Sequence, residues 1–246
     1  MTREELAHIL TGGEFGYPEA EAYFRGKVPM PRKAFYLLAE EYRGLAFTVS
    51  NYSRVEVLAA FKEALQQAID EGTTLRDFRA RMDSFLEDAG YRGTTPFMAD
   101  NIFRTNVQTA YNVGHYKAMT SPEVLAARPY WQYDAVGDFK TRPSHLAMDG
   151  RVYAADDPIW DTWYPPNGYR CRCGVRSLSQ RQLEAEGLQV ETKAPGRAEL
   201  PDGRVVGIQP DPHFGTNPAK VQWQPDLSGY PPELVAAYRA AEKAGG

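Results

Sequence analysis

Three side chains near the middle of the sequence have the chemistry of metal ligands. The two cysteines of the chain, Cys171 and Cys173, are separated by one residue, and His145 precedes them. Zinc accepts thiolate, imidazole and carboxylate ligands, and a structural zinc site has four of them. Asp149 or Asp138 would be the fourth ligand here. Against a zinc site, C-x-C is a less common spacing than C-x₂-C, and the chain has no second pair of thiols.

The same stretch allows two other interpretations. Asp138, His145 and one cysteine would act as base and nucleophile, or in a metal-dependent nuclease, if their side chains lie within hydrogen-bond reach. Alternatively, Asp138, Arg142 and Asp149 form ion pairs and hydrogen bonds that hold loops together, with the planar guanidinium of Arg142 bridging two carboxylates. We favour this third interpretation, because it requires neither a cofactor nor an activity.

Helices and short strands must position these residues. Apolar residues at helical spacing, with Ser, Thr and Asn at the starts and Gly at the ends, predict helices along most of the chain. The predicted helices are 1–10, a short piece from Pro18, 32–45, from Asn51 or Ser53 to Gly72, from Thr74 to Gly90, 95–119, 179–186 and 231–243. Short apolar alternations predict strands at 130–133, 152–154 and 171–175, and Asp202-Gly203 predicts a hairpin turn.

These elements predict an α+β fold, in which an N-terminal helical region contributes a long helix that packs on a small antiparallel sheet. The divisions that we predict are 1–50 (an arm and first helices), 51–121 (helical region), 122–178 (α+β core) and 179–246 (tail). The tail is rich in proline, so we expect an extended arm with a short terminal helix, laid over a neighbouring subunit. Removal of residues 210–246 should then leave the rest folded.

Composition restricts the classes of partner. The net charge of −4 argues against binding nucleic acid through global charge, although a local basic patch is a candidate for weak, salt-sensitive DNA contact. Its candidate residues are Arg170, Arg172, Arg176 and Arg181. No apolar run reaches the ~18 residues of a membrane span, and the first residues lack the pattern of a secretory signal. No P-loop motif is present, which argues against a packaging motor.

The order of residues in the central stretch resembles the Mu F-like head morphogenesis family of tailed bacteriophages, whose members are also called minor head or portal-associated proteins. The matching residues are Trp131, Asp138, Arg142, His145, Asp149, Gly150, Pro165, Pro166, Gly168, Cys171, Arg172 and Cys173. Residues 17–35 and 210–220 are similar to flanking elements of the Mu-like branch. Arg104 and Asn106 on the long helix resemble the start of the family domain. They either support the polar site or belong to an ordinary amphipathic helix.

The resemblance implies a minor head protein that joins the capsid interior near the portal vertex. We expect no enzymatic activity, because a single histidine beside an aspartate is more often a structural hydrogen-bond pair. Such a protein would assist head assembly and the packaging or retention of DNA. The implied partners are the portal protein and capsid or scaffold proteins, with nonspecific DNA contact, and the implied location is the virion. The alternative is a zinc-dependent nuclease or a toxin-associated module.

Overall fold

The computed structural model of the protein describes residues 18–38, 40–200 and 202–220, together with residues 232 and 236. The predicted first helix, Trp223 and Tyr230 lie outside these residues, as does nearly all of the predicted last helix. The helices of the described part are α1 (Pro18–Arg25), α2 (Arg32–Leu37), a 3-10 helix (Glu40–Leu45), α3 (Val55–Glu71), α4 (Leu75–Asp88), α5 (Pro96–Met119), α6 (Pro122–Ala127), α7 (Pro143–Leu146), α8 (Ile159–Trp163) and α9 (Gln180–Ala185). None of them is both long enough and apolar enough to cross a membrane.

The strands form three small sheets. Their bounds are β1 (Val28–Pro29), β2 (Ala46–Phe47), β3 (Tyr130–Asp134), β4 (Val152–Ala154), β5 (Gly174–Leu178), β6 (Arg197–Glu199) and β7 (Val205–Gly207). β3 is the central strand of the main sheet and pairs antiparallel with β4 and β5, whereas β1 and β2 are parallel. β6 and β7 form the antiparallel hairpin predicted around Asp202-Gly203. The predicted α+β class is confirmed.

Two predicted helix starts have the expected capping chemistry. Thr74 accepts a hydrogen bond from the backbone of Asp77, whose side chain accepts one back from the Thr74 backbone, so a complete capping box begins α4. Thr95 caps α5, and Pro96 occupies its first turn, where its missing N–H costs nothing. α3 begins later than predicted: its N-cap is Arg54, and Asn51 lies in a left-handed turn with φ of 76°.

The first hydrophobic core is built by helices α1, α3 and α4, by β2, and by α5 as far as Ala110. Phe61 and Phe78 are fully buried at its centre, and Phe103 of α5 packs against Phe78 at 5.5 Å between ring centroids. The helix predicted for residues 32–45 is wrong as a continuous element. Leu38 has an extended backbone (φ −67°, ψ 141°), which ends α2 before the 3-10 helix begins.

Lys27 is an ionisable side chain buried beside this helical core. Its ammonium group lies 4.6 Å from the centroid of the Tyr23 ring and donates a 2.6 Å hydrogen bond to the carbonyl of Gly44. Burial, with a smaller contribution from the charge of Lys62, lowers the pKa of Lys27 to about 7. The unfolded chain therefore binds more protons than the folded one between pH about 7 and the ordinary lysine value, so Lys27 makes stability rise with pH across that window.

We expect Lys27→Met to stabilise the protein near pH 6 and to lose this advantage as the pH approaches about 10. The gain near pH 6 should be on the order of a few kcal/mol, because one unit of pKa shift corresponds to about 1.4 kcal/mol and the contact with Tyr23 offsets part of it. Urea titrations of both proteins across this pH range measure the difference. A gain that does not change with pH would contradict the assignment, and Lys33→Met, which replaces an exposed lysine on α2, is the control.

The second hydrophobic core lies between α5 and one face of the main sheet. Trp131 of β3 is fully buried and contacts Tyr116 of α5, with 5.5 Å between ring centroids, and Trp160 of α8, with 5.6 Å. The other face of the sheet is covered by Leu183 of α9, packed against Val152. The long helix therefore packs on the sheet as predicted, and it contributes residues to both cores.

The tail differs from the predicted arm as far as residue 220. Residues 208–220 form turns and irregular structure, and they lie on the chain's own core. Ile208 is buried in the second core, and the side chain of Asn217 donates a hydrogen bond to the carbonyl of Trp160. Farther along the surface, the Nδ1 atom of His213 lies 3.0 Å from the guanidinium of Arg43. The prediction that residues 210–220 are dispensable for folding conflicts with these contacts.

Candidate functional site

A loop of residues 135–149 leaves the sheet between β3 and β4 and carries several of the candidate residues. Its two ends are held together at the sheet. The carboxylate of Asp149 accepts a 2.8 Å hydrogen bond from the backbone N–H of Ala135, and Gly150 donates its N–H to the carbonyl of Tyr133. Gly150 has a φ of 75°, which a residue with a side chain rarely adopts. We call residues 135–149 the site loop.

The site loop places His145 against the two cysteines. His145 lies on the single turn α7, and its Nδ1 atom is 3.5 Å from the sulfur of Cys173 and 3.7 Å from the sulfur of Cys171. All three side chains are buried. The predicted strand at 171–175 begins only at Gly174, so the thiols converge through the turn before β5 and not through strand alternation.

The two thiols share their surroundings but differ in pKa. The hydrogen bond from Cys173, and then the His145 ring, lower the pKa of the Cys171 thiol, while that same hydrogen bond and burial raise the pKa of Cys173. Cys171 is therefore the more acidic thiol of the pair. Tyr133, whose pKa is raised by burial, lies beside them and donates its hydroxyl to the side chain of Asn167 at 2.9 Å.

Ion pairs hold the outer part of the site loop. Asp138 accepts two hydrogen bonds from Arg172, at 2.6 and 2.8 Å, and these bonds lower the pKa of the carboxyl group. Arg142 pairs with Asp211 at 2.8 Å and donates to the carbonyl of Tyr169 at 2.8 Å. Arg172 thus joins the site loop to the segment before β5, and Arg142 joins it to the tail. Because Asp138 is paired with Arg172 and Asp149 accepts a backbone N–H, Arg142 does not bridge these two carboxylates.

Arg104 reaches this region through an intermediate residue. Its guanidinium lies 2.5 Å from the carboxylate of Asp100 on the same helix, and the other oxygen of Asp100 lies 2.5 Å from Arg170. Arg170 precedes Cys171, so Arg104 supports the segment that carries the thiols without contacting them. The side chain of Asn106 donates to the carbonyl of Ile102 within its own helix.

Three of the residues that organise the site were not identified from the sequence. Asn167, buried in the PPNG turn, donates to the carbonyl of Thr162 and accepts from Tyr133. Asn112 of α5 is fully buried, and its amide contacts the carbonyl of Cys173 at 3.4 Å. The sequence could have identified Asn167 through its place in the PPNG turn of residues 165–168. Asp211, the partner of Arg142, is too distant in sequence to give a local signal.

The close approach of Asp211 and Arg142 also explains why residue 168 is a glycine. A Cβ atom at this position would collide with the carboxylate of Asp211 and come within 3.1 Å of the Arg142 guanidinium. Any side chain here would therefore separate the ion pair that links the tail to the site loop.

The four arginines proposed for DNA contact are not equivalent in the structure. Arg170 pairs with Asp100 and Arg172 with Asp138, while Arg176 pairs with Glu186. Arg181 on α9 is exposed. Three of the four positive charges are therefore already balanced by a carboxylate, which weakens their attraction for phosphate.

The cluster of His145, Cys171 and Cys173 offers no room for a substrate. The thiol side chains are about 3% exposed, and the cavity that they line has a volume of about 20 Å³. That volume suits a single water molecule. Asp149 is not among the side chains that converge there. The arrangement is suited to holding two segments of chain together. His145 lies within hydrogen-bond reach of both thiols, as a Cys/His nucleophile requires, but the cavity beside them is too small to admit a substrate.

The sequence comparisons match the part of the chain that contains this cluster. Residues 59–176, which run from α3 into β5, match the family described as Phage Mu protein F like protein. The Mu-like prophage FluMu F protein of Haemophilus influenzae is 37% identical over 189 residues, covering 72% of this chain and 45% of that protein. The putative capsid assembly protein F of Escherichia phage Mu is 36% identical over 188 residues, covering 70% of this chain and 42% of that protein.

The chain spans less than half the length of these curated relatives. No solved structure matches it significantly. The matched residues include the site loop, both cysteines and the helices that support them. Over this region, the chain is similar to the Phage Mu protein F like proteins.

Proposed function

We propose that this protein is a minor head protein of a tailed phage or prophage, and that it acts in head assembly from the capsid interior at the portal vertex. The observation that carries the proposal is the similarity to the phage Mu protein named as a putative capsid assembly protein, which extends over 70% of this chain. The proposed partners are the portal protein and capsid or scaffold proteins. Assistance to DNA packaging or retention belongs to the same proposal, and it includes no catalytic step.

The fixed shape of the site loop supports a role in contacting a partner. The loop is held by the Asp149 cap, by the Asp138–Arg172 pair and by the Arg142–Asp211 pair. Yet Phe139 within it is 93% exposed. An aromatic side chain on a rigid loop contributes apolar area to an interface at little cost in conformational entropy. Phe139 is therefore the residue through which we propose to test the interaction.

We expect the chain to co-purify with the portal ring when both proteins are expressed together, and Phe139→Ser to reduce the amount captured at least several-fold. Val55→Ser is the matched control, since Val55 is also exposed but begins α3 in the helical core. A parallel capture by the major capsid protein distinguishes the two partners. Failure of the wild-type chain to associate with either protein would remove the support for the proposed function. Equal capture of both variants would remove Phe139 from the interface.

DNA contact is proposed only as a weak accessory interaction. Because Arg170, Arg172 and Arg176 are paired with carboxylates, binding to phosphate would have to compete with these ion pairs. Such contact should be independent of base sequence and should weaken steeply with salt, since it depends on the release of counterions.

A further inference from the structure

We infer that His145, Cys171 and Cys173 form a zinc site in which a water molecule is the fourth ligand. The Nδ1 atom of His145 and the two sulfur atoms all lie within 4.8 Å of one another, on three side chains that are buried. This inference is independent of the proposed role in head assembly. It concerns what holds the site loop to the segment before β5.

The distances between the donor atoms fit tetrahedral coordination of zinc. With Zn–S near 2.3 Å, Zn–N near 2.0–2.1 Å and tetrahedral angles, the nitrogen and each sulfur should be about 3.5–3.6 Å apart. The observed separations from Nδ1 of His145 are 3.5 Å to Cys173 and 3.7 Å to Cys171. Two of the three donor separations therefore match those of a tetrahedral zinc site, and the two sulfur atoms lie within 4.8 Å of each other.

A metal ion also satisfies the donors better than hydrogen bonds can. One Nδ1 atom faces two sulfurs, and a neutral imidazole carries one proton, so at most one sulfur accepts a hydrogen bond from the ring. Zinc would bind both sulfurs and the nitrogen together. Binding would release the protons that the two thiols still hold, and the two thiolates would balance the charge of Zn²⁺.

The fourth position opens on a small cavity. This cavity of about 20 Å³ is bounded by His145, both cysteines and the segment that includes Thr141. It can hold one water molecule, and Asp149, the carboxylate expected as a ligand, is occupied by the backbone N–H of Ala135. Arg142, Arg170 and Arg172 also border the cavity, but each is paired with an aspartate, which reduces their repulsion of a cation. Lys140, the fourth cation among the described residues at the cavity, is exposed to solvent.

The test uses the full chain, purified under reducing conditions and dialysed against Zn²⁺ or Co²⁺ alone. We expect one metal per chain by elemental analysis, and a thiolate-to-cobalt charge-transfer band in the Co²⁺ form. Zn²⁺ should also raise the melting temperature relative to the chelator-treated protein and slow the reaction of both thiols with a thiol reagent. Each of Cys171→Ala, Cys173→Ala and His145→Ala should lose the stoichiometric metal, and His213→Ala, which removes an exposed histidine elsewhere, should retain it.

The wild-type measurements decide the question even if a variant does not fold. A wild-type chain that retains no metal after dialysis, and whose thiols react at one rate with and without Zn²⁺, would overturn the inference. Stoichiometric metal that persists in a folded chain with both cysteines replaced would overturn it as well, since the ion would then be bound elsewhere.

Discussion

Trp131→Ala should lower the free energy of unfolding by about 3–5 kcal/mol, the range for removing a large aromatic side chain from a packed core. Trp131 is fully buried at the centre of the main sheet, where it contacts Tyr116, Trp160 and Tyr164. The cavity left by the indole would be surrounded by rings of α5 and of α8 with its C-cap residue, which cannot all move to fill it. Urea denaturation followed by circular dichroism measures the loss.

Trp131→Phe is the matched control for this prediction. The indole N–H of Trp131 is buried and has no hydrogen-bond partner among the described residues, so a phenyl ring loses some contact area but also removes an unpaired polar group. We therefore expect the Phe variant to lose less than half as much stability as the Ala variant. If both variants were equally destabilised, the indole N–H would have to be making an interaction that the structure does not contain.

The second large effect concerns the end of the tail. A chain that ends at residue 209 should be less stable than one that ends at residue 220, by about 3 kcal/mol, because each hydrogen bond lost contributes on the order of 1 kcal/mol. Three of the hydrogen bonds of segment 210–220 join it to the core, in addition to the ion pair of Asp211 with Arg142. Asn217 donates its backbone N–H to Asp161 and its side chain to Trp160, and Asp211 donates its backbone N–H to Asn167.

The comparison isolates this segment, since both truncated chains lack the same residues beyond 220. Thermal and urea unfolding of the two proteins measure the difference. Asn217→Ala in the longer chain should reproduce part of the loss, because it removes the buried amide that contacts Trp160. If the two truncations unfolded alike, residues 210–220 would be the dispensable arm that the proline content of the sequence predicts.

Local signals in the sequence predicted the helices well and the site only in part. Thr74 and Thr95 identify helix starts because a hydroxyl that accepts a backbone N–H acts within one turn. The same reasoning could not show that Leu38 would interrupt the helical pattern, since that break depends on how the segment packs. It also placed Cys171 in a strand, although the strand begins at Gly174.

The partners of the charged residues were the least predictable feature. The sequence suggested that Asp138, Arg142 and Asp149 would interact with one another, because they lie close together along the chain. In the structure their partners are Arg172, Asp211 and the backbone of Ala135. Two of these three partners come from distant parts of the chain, and nothing in residue spacing identifies which distant carboxylate or guanidinium will arrive at a given loop.

The contacts of residues 211 and 213 have a consequence for synthesis of the protein. Arg142 meets Asp211, and Arg43 meets His213, a residue 170 positions later. On the ribosome, both arginines emerge well before their partners have been translated. The helical core can form early from neighbouring segments, but the surface that joins it to the tail can close only when almost the whole described chain has left the exit tunnel.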